Sequence, residues 1–274
     1  MKIPCSVPIL TLNSREKLAQ ALPFLVETFD DVFLVDGNST DGTGEYARSL
    51  GVRVEKQFDT DEPNQRITDF PKTRMASWNK SRYDWLLVLD ADEVLTPECV
   101  EMIRSVVAED RRDEVHWIRR YPVLADGRVI RNSPFYNAHY FRLFARSKGI
   151  RIAERLVHEK FLIPEGLNHV YHDVVILCPE PSPSSLAERS KRYAILEGKA
   201  LKNPSWKHLF YWIIWYNLRS FLGQLARVTI TDIRGRFAGE LVLPWVYNRV
   251  FLCYRWWSFR EGARGWFGLR KGFI

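Results

Sequence analysis

Four apolar residues, Leu86, Leu87, Val88 and Leu89, run directly into Asp90, Ala91, Asp92 and Glu93. In an extended segment, residues two apart point the same way. Asp90 and Asp92 can therefore face one ligand together. Two such carboxylates repel unless a cation or a hydrogen-bonding partner sits between them. A second strand-like run, Val32-Phe33-Leu34-Val35, ends on Asp36. Open parallel sheets bind ligands at the carboxyl ends of their strands. Hard oxygen ligands with phosphate nearby suit Mg²⁺ or Mn²⁺, and the simplest partner for such a site is a nucleotide diphosphate. A lone D-x-D also fits a solvated turn. Its position after a buried strand, with Asp36 ending another, favours a site.

The elements that must hold these acids alternate. CSVPILTL reads as a strand. SREKLAQALPFLVETF has helical spacing, with Leu18, Leu22 and Leu25 on one face. DVFLVDGNST is a strand entering a polar turn, and TGEYARSLG is a short helix closed by Gly51. VRVEKQF alternates like a strand. PKTRMASWNKSR is helical, with Pro71 suited to a first turn. TPECVEMIRSVVAE follows the D-x-D as a helix, capped by Thr96 with Pro97 next. Strand and helix in alternation imply an α/β domain with a mainly parallel sheet. Beyond it, VHWIRRYPVLADGRVIR predicts a hairpin turning at Asp126-Gly127. PEPSPSS marks a boundary, giving domains at 1–178 and 179–274.

The 274 residues are 46% hydrophobic, enough for a sizeable core, and the mean hydropathy of −0.25 argues against a multi-span membrane protein. Cys5, Cys99, Cys178 and Cys253 are scattered and form no CxxC pair, which speaks against a zinc site and fits a reducing compartment. MKIPCSVPILTLNS reads as a first strand rather than a secretory leader. The net charge of +7 is concentrated at one end. From Ser205 onward eleven Lys and Arg face three acids, and seven of the ten tryptophans lie there. The remainder is close to neutral.

Taken together, VDGNSTDGT (35–43) and DWLLVLDADE (84–93) resemble glycosyltransferase family 2, with its GT-A, Rossmann-like fold. The nearest likeness is to bacterial lipopolysaccharide inner-core β-glucosyltransferases. FRLFARS (141–147), RLVHEKF (155–161) and SKRYAILEGKAL (190–201) are similar to later motifs of that subgroup. The resemblance covers roughly residues 5–202. Asn13-Ser14 stands where the family usually has Asn-Glu, Gly37-Asn38 follows the first Asp, and Arg74-Met75 replaces a frequent Arg-Asn.

The resemblance implies roles. Asp36 holds the nucleotide base, with Thr11, Leu12 and Asn13 lining the same pocket. Asp90 and Ala91 approach the ribose or donor sugar. Asp92 binds the metal that bridges the diphosphate, with His172 a further candidate there. Arg74 and Arg142 contact the diphosphate. Family members of this type invert the anomeric centre, which needs one base to take the acceptor proton. Glu159 is that candidate, oriented by His158, with Asp173 a rival. Each has a plain alternative: a surface pair for His158-Glu159, a structural histidine for His172, a solvated helix face for Arg74, a sheet-edge charge for Arg142. Asp41 reads as a helix-start charge.

The tail carries the most apolar stretch, HLFYWIIWYNLRSFL. It falls well short of the roughly 20 residues that a span needs. Basic residues interleaved with Trp and Tyr suit helices lying in a bilayer interface. Nucleic acid is not an expected partner, because no binding-module motif accompanies the basic surface. The combined expectation is a metal-dependent, inverting transferase, peripheral on the cytoplasmic face of a bacterial inner membrane. It would use Mg²⁺ or Mn²⁺, a nucleotide-sugar donor of the UDP class, and a lipopolysaccharide-core or other lipid-linked acceptor. Rival readings are a polyprenyl-phosphate glycosyltransferase and a nucleotide-binding membrane scaffold without turnover.

Overall fold

A computed structural model describes residues 1–133, 135, 138–153, 160–200 and 206–266. The chain divides into two compact units: Met1–Tyr121 with Ala138–Cys178, and Pro122–Asn137 with Pro179–Ile274. The second segment of each unit begins or ends at the 178/179 boundary, and the turn region 122–137 belongs with the C-terminal helices.

The first unit begins with β1 (Ile3–Thr11), α1 (Arg15–Thr28), β2 (Phe29–Asp36), α2 (Thr43–Ser49) and β3 (Arg53–Lys56). It continues with α3 (Phe70–Trp78), β4 (Trp85–Leu87), β5 (Val94–Leu95), α4 (Pro97–Ala108) and β6 (Glu114–Val123). After the turn region come β7 (His139–Ala145), β8 (Arg151–Ile152), β9 (Phe161–Leu162) and β10 (Asn168–Pro179). Among the described residues eight strands form one sheet, in the order β3-β2-β1-β4-β7-β6-β10-β5. The β3-β2-β1-β4 half is parallel, as expected for βαβ units. β7 then runs antiparallel to β4 and β6 antiparallel to β7. β8 and β9 make a separate two-stranded ribbon.

Local chemistry explains the boundaries. Thr96 Oγ1 accepts from the Cys99 amide at 3.4 Å and Pro97 opens α4. Asp69 does the same for α3, accepting from the Lys72 amide at 2.9 Å, with Pro71 in the first turn. Gly51, at φ +76°, lets the chain leave α2 in a left-handed conformation. Leu18, Leu22 and Leu25 of α1 are all buried, packed in the main core with Val7 and Ile9 of β1. Each such side chain contributes about 1.5–3 kcal/mol on burial. Leu87 and Leu89 join the same core, while Leu86 and Val88 point into a second cluster with Phe141 and Phe144. This alternation is why the run before Asp90 is apolar throughout: both faces of the sheet are covered.

In the second unit the chain turns at Asp126-Gly127, where the Gly127 amide donates to Leu124 O at 2.8 Å and Gly127 has φ +83°. Its helices are α5 (Pro183–Ala200), α6 (Trp206–Leu209), a π-helical segment (Phe210–Tyr216), α7 (Asn217–Ala238) and α8 (Trp245–Trp266). Leu124, Ile130, Leu186, Leu243, Tyr247 and Val250 form its own core. No helix among the described residues is long and apolar enough to cross a membrane.

Candidate active site

The two strand-end acids sit in different surroundings. Asp36, at the end of β2, is buried and neighbours Thr11, its register partner at the end of β1. Thr11 Oγ1 donates to Asp36 Oδ1 at 2.8 Å. The Ser39 amide donates to Oδ2 at 2.8 Å and Ser39 Oγ to Oδ1 at 2.6 Å. Around this carboxylate the polar loops are knitted by three asparagines in the left-handed region: Asn13 (φ 47°), Asn38 (φ 56°) and Asn64 (φ 55°). Asn13 Nδ2 donates to Asn64 Oδ1 at 2.9 Å, and the Thr40 amide donates to Asn13 Oδ1 at 3.0 Å. Asn38 Nδ2 donates to Thr60 O and Glu62 O, both at 2.8 Å. Asparagine tolerates this backbone because its side chain bonds locally. Gly37 answers a different need. A Cβ there would meet Gln65 O at 2.3 Å, since the Gln65 amide donates to Gly37 O at 2.7 Å. Leu12 is half-buried beside the same glycine. Asp41 braces the loop, accepting from the Arg15 amide at 3.1 Å and the Thr43 amide at 3.0 Å. Both amides lie at helix starts, the position expected of a helix-start charge.

Asp90 follows β4, and its side chain is 43% exposed. Arg74 Nη2, from α3, donates to Asp90 Oδ1 at 3.3 Å. Glu93 lies behind it with its carboxyl fully buried. Glu93 Oε2 accepts from the Asp90 amide at 2.9 Å. Its Oε1 accepts from Arg142 Nη2 at 2.6 Å and lies 3.2 Å from Arg120 Nε. Arg142 Nη1 donates to Val88 O at 3.0 Å. Burial would raise Asp90, but the guanidiniums of Arg74, Arg142 and Arg120 hold it below the usual carboxylate range. Glu93 moves the other way: burial, then the charge of Asp90, push it up against the two arginines. Arg74, Val88, Asp90, Trp117, Arg120 and Arg142 are among the residues lining a cavity of about 420 Å³. That is a size usual for a small-molecule site.

The remaining candidates are placed as follows. Asp92 is partly exposed and meets Lys17 Nζ at 3.2 Å. Ala91 is half-buried against the main core. His172 Nε2 lies 3.0 Å from Nδ1 of the buried His116. Among the described residues no three His, Cys, Asp or Glu side chains gather into a metal cage. Asp173 is 88% exposed and is held by Arg119 Nε and Nη2, both at 2.9 Å. His158 and Glu159 lie outside the described residues. The structure therefore brings Thr11, Asn13 and Asp36 together in one group and Arg74, Asp90 and Arg142 in another. Glu93 and Arg120 are additions that sequence reading missed. Glu93 directly follows the D-x-D, and Arg120 lies in the expected hairpin strand. The pairing of β6 with β7 that brings Arg120 near is not visible in either segment alone.

A parallel α/β half-sheet with acids at its carboxyl ends, joined to a mixed half that walls a cavity beside Asp90, is the architecture of nucleotide-sugar transferases of the GT-A type. The Glycosyl transferase family 2 model matches residues 6–163, more than half of the chain. The chain belongs to this family. An uncharacterised glycosyltransferase of Rickettsia typhi is 30% identical over 105 residues, 38% of this chain and 33% of that protein. One of Rickettsia felis is 30% identical over 105 residues, 38% of this chain and 34% of that protein. The match thus spans about a third of the length of these relatives. Among solved structures, the mannosyltransferase PcManGT from Pyrobaculum calidifontis, in complex with GDP-Man and Mn²⁺, aligns with 98% of this chain and 89% of its own. Its TM-score is 0.51 at 13% identity, which shows a shared fold. TarS of S. aureus in complex with UDP-GlcNAc aligns with 71% of this chain and 66% of its own, at 16% identity and a TM-score of 0.46.

Proposed function

We propose that this glycosyltransferase moves a sugar, with inversion, from a UDP-class nucleotide-sugar to a lipopolysaccharide-core or other lipid-linked glycan at a membrane surface. The observation that carries the reading is the pair of strand-end sites. Thr11, Asn13 and Asp36 form a rigid, neutral-donor cradle suited to a base and ribose. Asp90 and Asp92, past the end of β4, supply carboxylates suited to the sugar and to a metal on the diphosphate.

A divalent ion fits beside Asp92. Its carboxylate is partly exposed and already attracts a cation, the ammonium of Lys17 at 3.2 Å. Lys17 is itself more than half exposed. Mg²⁺ and Mn²⁺ are content with one or two carboxylates when phosphate and water supply the remaining oxygens. When bound, the ion neutralises the leaving diphosphate. Arg74, through Asp90, sets the neighbouring wall. Glu159, with His158 beside it, is the proposed base. Supporting this, Lys160 and Phe161, which follow directly in sequence, line the cavity next to Asp90. Asp173, the rival, has its carboxylate engaged by Arg119.

The membrane part of the reading rests on the second unit. Trp206 (71% exposed), Phe210 (64%), Phe237 (90%) and Trp256 (60%) present large apolar side chains to solvent on a basic scaffold. Such surfaces seek a bilayer interface rich in anionic lipid. Cosedimentation with vesicles containing 30–40% anionic lipid, an order-of-magnitude choice for an interfacial binder, checks it. Protein left in the supernatant at low salt would refute this part alone.

The test of the whole is donor hydrolysis by the purified chain. A panel of UDP-, GDP-, ADP- and dTDP-sugars is offered with Mn²⁺ or Mg²⁺, with and without EDTA. Nucleotide release from a UDP-sugar, abolished by EDTA, is the expected result. Release indifferent to EDTA would remove the metal. Release from another nucleotide class alone would remove the UDP assignment.

A further inference from the structure

The cavity beside Asp90 holds more cationic charge than its own acids can use. Arg74, Arg120, Arg142 and Lys160 line it, and Asp90 is the single carboxylate among the described lining residues. Among the described residues, with Glu93 behind the wall, four cations meet two acids, and counting the proposed base Glu159 as a third still leaves the cations in excess. Arg74 is paired with Asp90 and Arg142 with Glu93. Arg120 shares Glu93 and points Nη2 at Cys178 Sγ, 2.6 Å away. Burial pushes that thiol up to about 11, so it is a neutral partner and adds no countercharge. Lys160 is exposed and makes no ion pair with any described residue. A surplus of cation in a concave, half-apolar site raises the local concentration of anions.

The rest of the lining is largely aromatic. Trp117 meets Phe141 edge-on at 5.5 Å, and Phe141 lies 4.4 Å from Phe161. His139 lies among them, its Nε2 buried without a hydrogen-bond partner. A buried polar atom left open in this way is satisfied by a ligand group or by water. Of the D-x-D residues Asp90 alone lines the cavity, and neither Asp36 nor Asp92 does so. In the sheet, β4 separates β1 and β2, which carry the Asp36 cradle, from β7 and β6, which wall the cavity.

We propose that this cavity takes an acidic acceptor sugar, one bearing a phosphate or carboxylate, whose charge is met by Arg120 and Lys160 and whose ring lies along Trp117 and Phe161. The inference deepens the transferase reading above and rests on it. Charge-assisted bonds to guanidinium and ammonium supply the selectivity. The aromatic wall supplies sequestered apolar contact for the ring.

The experiment measures binding of glucose 6-phosphate, glucuronate, glucose and octyl phosphate to the full chain, with UDP and Mn²⁺ present, by titration calorimetry or saturation-transfer NMR. The two acidic sugars are expected to bind at least about tenfold more tightly than glucose. Lys160→Gln, at an exposed position, should erase about tenfold of that preference while glucose and UDP binding stay unchanged. Arg120→Lys, which keeps the charge but loses the fork, should reduce it by less. Equal binding of acidic and neutral sugars would overturn the proposal. So would tighter binding of octyl phosphate than of either acidic sugar, since the site would then read a lipid phosphate. A Lys160→Gln variant that loses UDP instead would hand these cations to the donor. If UDP itself fails to bind and no donor is hydrolysed, it is the transferase chemistry proposed above that has failed, and the acidic-acceptor proposal falls with it.

Discussion

Asp36 and Asp90 end strands of the same parallel half-sheet with β1 between them, yet they are held by opposite means. Asp36 is buried and takes its hydrogen bonds from two hydroxyls and an amide. Asp90 is part-exposed, bonded by a guanidinium, and stands near two more. Position at a strand end thus decides that a residue can reach a ligand, but the partners decide what it does there. Neutral donors spend both carboxylate oxygens on fixing a loop, and a fixed loop recognises shape. Guanidiniums leave a field behind, and a field recognises charge.

The comparison breaks most visibly at Glu93. It is the countercharge that lets Arg142 and Arg120 stand together, and its carboxyl is fully buried. Removing one member of a buried ion network leaves uncompensated charge, at a cost of about 3–5 kcal/mol. Glu93→Ala should therefore lose that much stability in urea unfolding, and the Asp90 side of the site should lose its shape. A loss below about 1 kcal/mol would mean that solvent or ligand, not Glu93, balances the arginines. Asp92→Asn acts on chemistry instead. With folding intact, turnover should fall by about 10²–10³ and the response to Mn²⁺ should vanish. A fully active, metal-indifferent variant would remove Asp92 from the metal.

Gly37→Ala probes the neutral cradle. Its Cβ has backbone, Gln65 O, in the way at 2.3 Å, so the two loops must part at a cost of about 1–3 kcal/mol. Nucleotide affinity should drop while the residual activity keeps its metal dependence. If metal dependence failed together with affinity, the two strand-end sites would be one mechanical unit and the contrast drawn above would not hold.

How much of this was legible in the chain depends on how locally each feature is encoded. Asp36 and Asp90 announce themselves because an apolar run must end where the sheet ends. The caps at Thr96 and the Pro71 turn are equally local. Arg74 and Arg142 could be named through the family likeness, but not their partners. Glu93 has no assigned role in the sequence, and only the sheet order brings Arg120 and Arg142 to it from β6 and β7. Asn64 sits in a polar loop whose sequence, DEPNQR, carries no periodicity. Its role depends on a left-handed backbone and on a contact with Asn13, 51 positions away. His172 shows the reverse. Its place at the metal comes from the family likeness, and only the pairing of β6 with its neighbour β10 reveals His116 opposite it.

That histidine pair gives the smallest and sharpest test of what separates the two acids. Near Asp90, burial is overcome by neighbouring charge. At His116, it is not. The ring is fully buried, and burial, followed by the nearby His172, pushes it down to about 3 from 6.5. His172 is lowered too, first by burial. The unfolded chain protonates His116 near 6.5 while the folded chain resists until about 3. Between those values the unfolded state binds more protons, so stability falls as pH falls, by up to about 1.4 kcal/mol per pH unit for one group. Asp90, lowered from 3.8, adds its own loss only below that value. Glu93, raised from 4.5, acts in the opposite sense above it. Denaturation midpoints compared between pH 4 and 6 in wild type and His116→Gln isolate the histidine, because the carboxylates are common to both. The variant's stability should fall less steeply on acidification. Parallel slopes would mean that His116 takes up its proton in the folded chain as readily as in water, with charge from β6 and β10 doing for it what Arg74 does for Asp90.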